Sequence, residues 1–174
     1  MRLFLAVDFH PAVKQALCGV RDRLADAAEA GRFTPRDNFH ITLAFLGEVP
    51  QAKVSAIRSC MNSISCAPFS VTLRELGRFR RQGGDIWWMG LDDYPELYAL
   101  ADRLGAELRA RGFVLEDRRF SPHVTLGRQV VLPRDFRAFA PQPIEQRVTE
   151  FCLMQSERVG GKMVYTPLLK KILK

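Results

Sequence analysis

The chain has few of the residues that would staple a small protein together or anchor it in a membrane. Its 174 residues include four cysteines and no Cys-x-x-Cys pair. Cys18, Cys60, Cys66 and Cys152 lie mostly among apolar neighbours, which predicts buried, reduced thiols in a cytoplasmic protein rather than a disulfide framework. The apolar stretches are short, and Asp8 interrupts the first one too early for a signal peptide. We therefore expect no membrane association.

A flexible linker is also missing. No Pro/Gly/Ser-rich segment divides the chain, and 174 residues suit one domain, 1–174, that buries roughly 70% of its unfolded surface. Hydrophobic residues make up 47% of the sequence and charged residues 26%, as in ordinary globular proteins. Disordered and membrane-spanning classes are thereby excluded.

Acidic residues are fewer than basic residues in this chain. There are 19 Asp and Glu against 26 Lys and Arg, which gives a formal net charge of +7. Such an excess favours polyanionic partners, although solvated charge on loops and ends would account for much of it. The basic groups are Arg74, Arg78, Arg80 and Arg81, then Arg109, Arg111, Arg118 and Arg119, and the Lys170–Lys174 tail.

Histidine is scarce, yet two of the three copies occur in the same local phrase. His40-Ile-Thr-Leu43 recurs 83 residues later as His123-Val-Thr-Leu126. In a β-strand alternate side chains share a face, so His40 and Thr42 face one way while Ile41, Leu43 and Phe45 face the other. His123 and Thr125 repeat the pattern. Two strands facing a common cleft would thus present two imidazoles and two hydroxyls to it.

Such a set suits displacement at phosphorus. Near neutral pH one imidazole can accept a proton while its partner donates one, and hydroxyls can donate hydrogen bonds to phosphoryl oxygens. A lone strand histidine is more often structural, but two matched copies reverse those odds. Metal binding is the next alternative. No Asp, Glu or Cys lies at i+2 or i+4 from either histidine to complete a ligand set, so we expect no metal and no cofactor.

Apolar periodicity predicts alternating strands and helices that form a degenerate internal duplication. The first half is a strand, a helix, the first histidine strand, a helix and a strand. The second half is a strand, a helix, the second histidine strand, a Pro-rich connection with a short helix, and two strands. The predicted bounds are a strand at 2–9, a helix at 11–30 closed by Gly31, a strand at 38–47, a helix from Pro50, strands at 69–76 and 85–91, a helix at 94–111, and strands at 119–128, 148–157 and 164–171.

Aromatic residues flank the motifs. Trp87 and Trp88 are adjacent on a predicted strand and must face opposite ways, so one of them is expected in the core. We expect Phe39 and Phe120 to pack in the core, with base stacking as the alternative. Tyr165 is a candidate for lining the site.

With these motifs in place, the sequence resembles the two-histidine phosphoesterases, and within them the bacterial RNA 2′,3′-cyclic phosphodiesterases, historically called 2′-5′ RNA ligases. The resemblance extends over essentially the whole chain. It rests on the opening Met1–Asp8, His40–Glu48, Leu76–Phe79 with Trp88–Leu91, Pro122–Arg128, and the late Ser156, Gly160 and Tyr165.

This resemblance implies an α+β, bilobal, pseudo-symmetric fold with two antiparallel sheets flanking a central cleft and helices outside. It also implies metal-independent opening of RNA 2′,3′-cyclic phosphate ends to 2′-phosphate ends, with weak reversible 2′-5′ ligation as a candidate side activity. The expected partners are RNA or nucleotides that carry such ends. We expect a monomer.

The resemblance also implies residue roles. His40 would be the proton donor to the leaving ribose oxygen and His123 the proton acceptor from water, although one sequence cannot order two similar imidazoles. Thr42, Thr125 and Arg128 would bind the phosphate. By strict alternation Arg128 points away from the His123 face, so this role requires a bulge at Gly127.

The chain departs from the family at Ser121, where an arginine is more usual, and Arg118 or Arg119 could replace that cation. Two other functions stay open from the sequence. One is a related activity on a small cyclic phosphate or a 2′-5′ linked oligonucleotide. The other is a non-catalytic RNA-binding module, which would tolerate loss of either histidine and show salt-dependent affinity without turnover.

Overall fold

Nine strands and three helices make up the fold, and the computed structural model describes residues 1–174. Their order is β-α-β-β-α-β-β-α-β-β-β-β. The bounds are β1 Arg2–Asp8, α1 Pro11–Ala27, β2 Ala30–Phe33, β3 His40–Glu48, α2 Val54–Ser63, β4 Phe69–Phe79, β5 Asp85–Leu91, α3 Pro95–Ala110, β6 His123–Val131, β7 Ile144–Val148, β8 Glu150–Val159 and β9 Lys162–Ile172.

The strands form two antiparallel sheets. One has four strands in the order β3-β1-β8-β9, and the other has five in the order β2-β6-β5-β4-β7. Each histidine strand therefore belongs to a different sheet. The predicted α+β class with two antiparallel sheets is confirmed. The two sequence halves are not the two lobes, because each sheet takes strands from both halves.

Apolar helix faces cover the sheets. Helix α3 buries Leu97, Leu100, Leu104 and Leu108, whose three- and four-residue spacing places them on one side. Each fully buried leucine contributes roughly 1.5–3 kcal/mol through the hydrophobic effect. A single cluster of 36 buried residues draws on both sheets and all three helices. The same core thus supports both histidine strands.

The first predicted helix is too long by three residues. Helix α1 ends at Ala27, and residues 30–33 form the short strand β2, which pairs with β6. A Cβ at Gly31 would lie 3.0 Å from the Phe33 ring and 3.2 Å from Val130. Gly31 therefore permits close strand packing instead of closing a helix, which local periodicity could not reveal.

The predicted short helix in the Pro-rich connection is wrong. The residues from Pro133 to Pro143 form neither helix nor strand, and the next element is β7, which pairs with β4 along Phe69–Leu73 at the edge of the five-stranded sheet. Five residues with a single partner strand leave a weak periodic signal, and strand pairing with a distant segment decides their conformation. The second histidine strand also begins later than predicted, at His123 itself.

The four cysteines are free, as predicted. Cys18, Cys60 and Cys152 are buried, and Cys66 is half-buried. Burial raises the pKa of the Cys152 thiol to about 11, so this group stays protonated at neutral pH. These cysteines therefore act as small apolar side chains.

None of the three helices is both long and apolar enough to cross a bilayer.

Candidate active site

Strands β3 and β6 meet across a cleft of about 460 Å³ between the two sheets. Thr42 and Phe45 line it from β3, and His123 and Arg128 line it from β6. Phe79, at the end of β4, adds an aromatic wall. Helix α3 and the loop before β6 form the remaining wall.

His40 lies next to Thr42, close enough to His123 and Arg128 for their charges to act on it, but it is not itself among the residues that line the cleft. Its Nδ1–H donates to the main-chain carbonyl oxygen of Asn38 at 2.7 Å, since a carbonyl can only accept. In the neutral ring Nε2 therefore carries the lone pair, and the Thr42 hydroxyl, 3.0 Å away, donates to it. The predicted common face of His40 and Thr42 is confirmed. These two hydrogen bonds fix the neutral His40 ring in one tautomer, with its proton on Nδ1.

His123 is fixed in the same way. Its Nδ1–H donates to the carbonyl oxygen of Ser121 at 2.7 Å, again two residues upstream. Its Nε2 has no hydrogen-bond partner in the protein and is free for a ligand. Both imidazoles are thus oriented by their own main chain, which leaves Nε2 of each ring as the nitrogen not held by the backbone.

Aromatic rings pack around both histidines. The His40 ring lies 4.9 Å from Phe4 and 5.2 Å from Tyr165. The His123 ring lies 5.1 Å from Phe79 and 6.1 Å from Trp88. These apolar neighbours restrict the imidazoles and exclude water from one side of each.

Trp87 and Trp88 face opposite ways, as predicted. Trp87 is in the core, whereas Trp88 lies on the cleft side over Gly77. A Cβ at Gly77 would be only 2.0 Å from the Trp88 ring, so no larger residue fits there without moving the indole. The missing side chain at Gly77 lets the Trp88 ring pack over the main chain of β4, 6.1 Å from the His123 ring.

Burial lowers the pKa of His40 to about 4. The hydrogen bond to Asn38 and the charge of Asp8 oppose this effect, while the charges of His123 and Arg128 reinforce it. Asp8 stands directly opposite His40 on β1 and forms an ion pair with Lys14 at 2.8 Å. His40 is therefore neutral in the ligand-free protein at neutral pH.

Burial also lowers the pKa of His123. The hydrogen bond to Ser121 opposes the shift, and Arg128 and Arg118 reinforce it. A phosphate anion bound between these groups would favour the charged imidazolium and raise the pKa of both rings. An anionic ligand bound there would therefore promote protonation of the histidines.

Arg128 reaches the cleft because β6 is bulged. Trp88 pairs with Thr125 and Trp87 with Gly127, so Leu126 is an extra residue in the ladder. The irregularity reverses the alternation after Thr125, which is the bulge that the phosphate role of Arg128 required. Arg128 lies among the cleft-lining residues and forms no ion pair with a carboxylate.

Phe45 lies on the cleft face, contrary to the predicted alternation. The pairing of β1 with β3 skips Leu43 and Leu46, so β3 contains two bulges. Phe45 therefore joins the small cluster that contains Phe4 and Tyr165. A prediction from strict alternation of side chains cannot reveal the two bulges in this nine-residue strand.

The other flanking aromatics divide between core and cleft. Phe39 is fully buried in the core, as predicted. Phe120 packs against the core and also lines the cleft, where its ring meets Tyr98 at 5.4 Å. Tyr165 borders His40 through its ring.

Thr125 is half-buried on β6, and its carbonyl accepts a hydrogen bond from Thr34 at 2.8 Å. Arg118 and Arg119 line the cleft near Ser121. Nowhere do three His, Cys, Asp or Glu side chains come together as a potential metal-binding group.

Sequence reasoning missed several contributors to the site. The carbonyls of Asn38 and Ser121 orient the histidines, but a main-chain oxygen leaves no side-chain signal. Their common offset, two residues before each histidine, is the one pattern that could have revealed them. Phe4 and Phe79 are brought in by strand pairing, and Asp8 faces His40 only through the register of β1 and β3.

Two sheets that each present a His-x-Thr strand to a shared cleft define a two-histidine phosphoesterase. Residues 9–160 match the family described as the 2′-5′ RNA ligase superfamily, and the chain belongs to that family. It is 33% identical to the RNA 2′,3′-cyclic phosphodiesterase of Escherichia coli over 174 residues, covering 96% of this chain and 93% of that protein. The corresponding Thermotoga maritima protein is 31% identical over 175 residues, with 97% and 93% covered.

Solved structures agree with this assignment. The crystal structure of E. coli LigT complexed with 3′-AMP superimposes with a TM-score of 0.87 at 33% identity, covering 99% of this chain and 97% of LigT. The structure of Kluyveromyces marxianus Usb1 gives a TM-score of 0.54 at 14% identity, which shows a common fold alone.

Proposed function

We propose that this protein hydrolyses the 2′,3′-cyclic phosphate ends of RNA to 2′-phosphate ends. The observation that carries the proposal is the matched pair of imidazoles, each held through Nδ1 by the carbonyl two residues upstream. Nε2 of each ring is thereby left for proton transfer. The curated relatives named RNA 2′,3′-cyclic phosphodiesterase support the same reaction.

The proposed reaction needs only side chains and water. A water oxygen attacks phosphorus while Nε2 of His123, which has no protein partner, takes its proton. The bond from phosphorus to the ribose 3′ oxygen breaks, and the Nε2–H of protonated His40 supplies the proton to that oxygen. One proton enters the pair and one leaves, so a single proton transfer back to His40 restores the starting state.

The phosphate ligands follow from the same geometry. The Thr42 hydroxyl is released from its neutral acceptor once His40 is protonated, and it can then donate to a phosphoryl oxygen. Thr125 would supply the second hydroxyl from β6. Arg128, free of carboxylate partners, would stabilise the charge that develops at phosphorus.

The proton-donor role of His40 requires the substrate to raise its pKa. Asp8 and the Asn38 carbonyl already favour the charged ring, and the bound phosphate adds to them. The proton returns to His40 most readily when the next anionic substrate binds. The negative charge of the substrate thus helps to protonate His40, which then acts as the acid.

The pH dependence of kcat/KM follows from the free-protein pKa values. The active form carries one proton on the histidine pair, and both pKa values lie below the usual 6.5. Above the higher of the two, the active fraction falls about tenfold per pH unit, so kcat/KM should already decline near pH 7. The alkaline limb of kcat should lie at higher pH, because bound phosphate raises both pKa values. Initial rates from pH 4 to 9 at low and saturating substrate test this. Alkaline limbs of kcat and kcat/KM at the same pH would contradict this expectation.

A product assay tests the proposed function directly. The protein is incubated, with chelator present, with a 2′,3′-cyclic nucleotide and with an oligonucleotide that ends in a cyclic phosphate. We expect the 2′-phosphate alone as product in both cases, at a rate that the chelator leaves unchanged. Turnover that stops when chelator is added would contradict the metal-free mechanism. Salt-dependent binding without turnover would indicate an RNA-binding module.

Activity on a small cyclic phosphate or a 2′-5′ linked oligonucleotide is the second candidate, and the same assay with those substrates decides between them by kcat/KM. We also propose that residues 1–174 act as one unit, because the 36-residue core cluster draws on both sheets. The monomeric state and the cytoplasmic location stay predictions from the sequence.

A further inference from the structure

The cleft extends beyond the histidines into a second group of cations. Arg81 comes from the turn between β4 and β5, and Arg118 and Arg119 come from the loop before β6. All three are exposed and line the same cleft as His123. The proposed chemistry at the cyclic phosphate uses none of them.

These guanidinium groups are largely free of carboxylates. Arg81 and Arg119 form no ion pair, and Arg118 pairs with Glu116 at 2.8 Å. That pair is solvent-exposed on both sides, with 76% and 56% of the two side chains accessible. Exposed pairs of this kind contribute little to stability, so a phosphate group could replace Glu116 at small cost.

Arg81 and His123 both lie against the Phe79 ring. The Arg81 guanidinium lies over the Phe79 ring, 6.0 Å from its centroid, and that ring lies 5.1 Å from the His123 ring. One aromatic side chain thus separates the cation from the imidazole. In RNA, one ribose separates a terminal 2′,3′-cyclic phosphate from the phosphodiester on its 5′ side.

Arg118 and Arg119 line the cleft from the loop before β6. Arg118 is close enough to His123 for its charge to act on the imidazole. Arg119 acts in the same way on Tyr98, whose ring packs edge-on against Phe120 at 5.4 Å. Cations from two different segments, the β4–β5 turn and the loop before β6, therefore line the cleft that contains His123.

We propose that Arg81, Arg118 and Arg119 form a second phosphate subsite that binds the phosphodiester on the 5′ side of the terminal nucleotide. The subsite lets the protein recognise an RNA chain rather than a free cyclic nucleotide. Guanidinium groups suit this ligand because their planar fork can bind two phosphate oxygens at once. The inference rests on the proposed function and adds the part of the RNA substrate, the 5′-side phosphodiester, that the cleft would recognise.

Three substrates that differ only at the 5′ side test the subsite. They are a nucleoside 2′,3′-cyclic phosphate, the same compound with a 5′-phosphate, and a tetranucleotide that ends in the cyclic phosphate. In the native protein the 5′-phosphate should raise kcat/KM about tenfold, as expected for charge-assisted hydrogen bonds. Arg81→Ala should remove most of that gain and leave the unphosphorylated nucleoside substrate unaffected, and Arg119→Ala should remove a similar share of the gain.

Arg137→Ala is the matched control, because it removes one exposed arginine from the other side of the sheet. Its neighbour Phe136 packs on Trp87, which faces away from the cleft. We expect this variant to keep the full gain from the 5′-phosphate. An equal loss in Arg137→Ala would mean that net charge alone is responsible and would overturn the proposal.

Salt dependence gives a second readout. The logarithm of kcat/KM for the tetranucleotide should fall with the logarithm of salt concentration, and Arg119→Ala should reduce that slope by about 0.7, the value for one phosphate contact on a single strand. An unchanged slope would contradict the subsite.

The outcomes separate the two proposals. Hydrolysis of all three substrates at equal kcat/KM would overturn the second subsite while the proposed function stands. No hydrolysis of any of them would overturn the function and the subsite together.

Discussion

Replacing His40 or His123 with alanine should lower kcat for a 2′,3′-cyclic phosphate substrate by about 10²–10⁴-fold, the range expected when a general acid or base is lost. Each imidazole presents a single reactive nitrogen, because its Nδ1 is bound to Asn38 or Ser121. Steady-state kinetics with purified variants measures the loss. Because the two rings act together in one step, one taking a proton from water and the other giving a proton to the leaving oxygen, the double variant should be little worse than the poorer single variant.

The third histidine provides the control. His10 is exposed, precedes helix α1, and makes no side-chain capping bond. His10→Ala should therefore keep native kcat and KM. Activity that survives in both His40→Ala and His123→Ala would rule out the proposed acid–base pair.

Replacing Arg128 with alanine should lower kcat by about 10²–10³-fold, comparable to removing one donor that stabilises a transition-state anion. Arg128→Lys should recover only part of this loss, because an ammonium group cannot bind two phosphate oxygens in the geometry of a guanidinium fork. Kinetics at saturating substrate separates the effect on chemistry from that on binding.

A pH profile distinguishes this role from a structural one. The charge of Arg128 lowers the pKa of both histidines, so Arg128→Ala should raise both pKa values and move the alkaline limb of kcat/KM to higher pH. Arg32→Ala is the matched control, since Arg32 pairs with Arg128 across β2 and β6 but does not line the cleft. A similar loss in Arg32→Ala, or an unmoved limb in Arg128→Ala, would contradict the assignment.

Most of the helices and strands could be predicted because each has a strong local period. The four leucines of α3 and the alternation of β5 are examples, and their observed bounds lie within a residue of the predicted ones. The short strands β2 and β7 were missed, since four or five residues give little periodicity and only pairing with β6 or β4 makes them strands. The strand order could not be predicted, because each sheet mixes strands from both halves.

The site shows the same division. The sequence placed His40 with Thr42, and it placed His123 with Thr125, because strand alternation is a local property of the backbone. It placed Phe45 on the wrong face and left Arg128 dependent on a bulge. Both outcomes were decided by register shifts against β1 and β5, which are pairing events between distant segments.

By itself the sequence determined which groups the candidate site can offer, because two matched His-x-Thr phrases supply two titratable groups and two hydroxyls on strand faces. Only the tertiary structure decided how these groups are brought together. Packing the two sheets around one core brings β3 and β6 to opposite sides of a cleft, and burial there lowers the pKa of both histidines. Proximity and desolvation depend on the positions of distant residues, so they exist only in the folded chain.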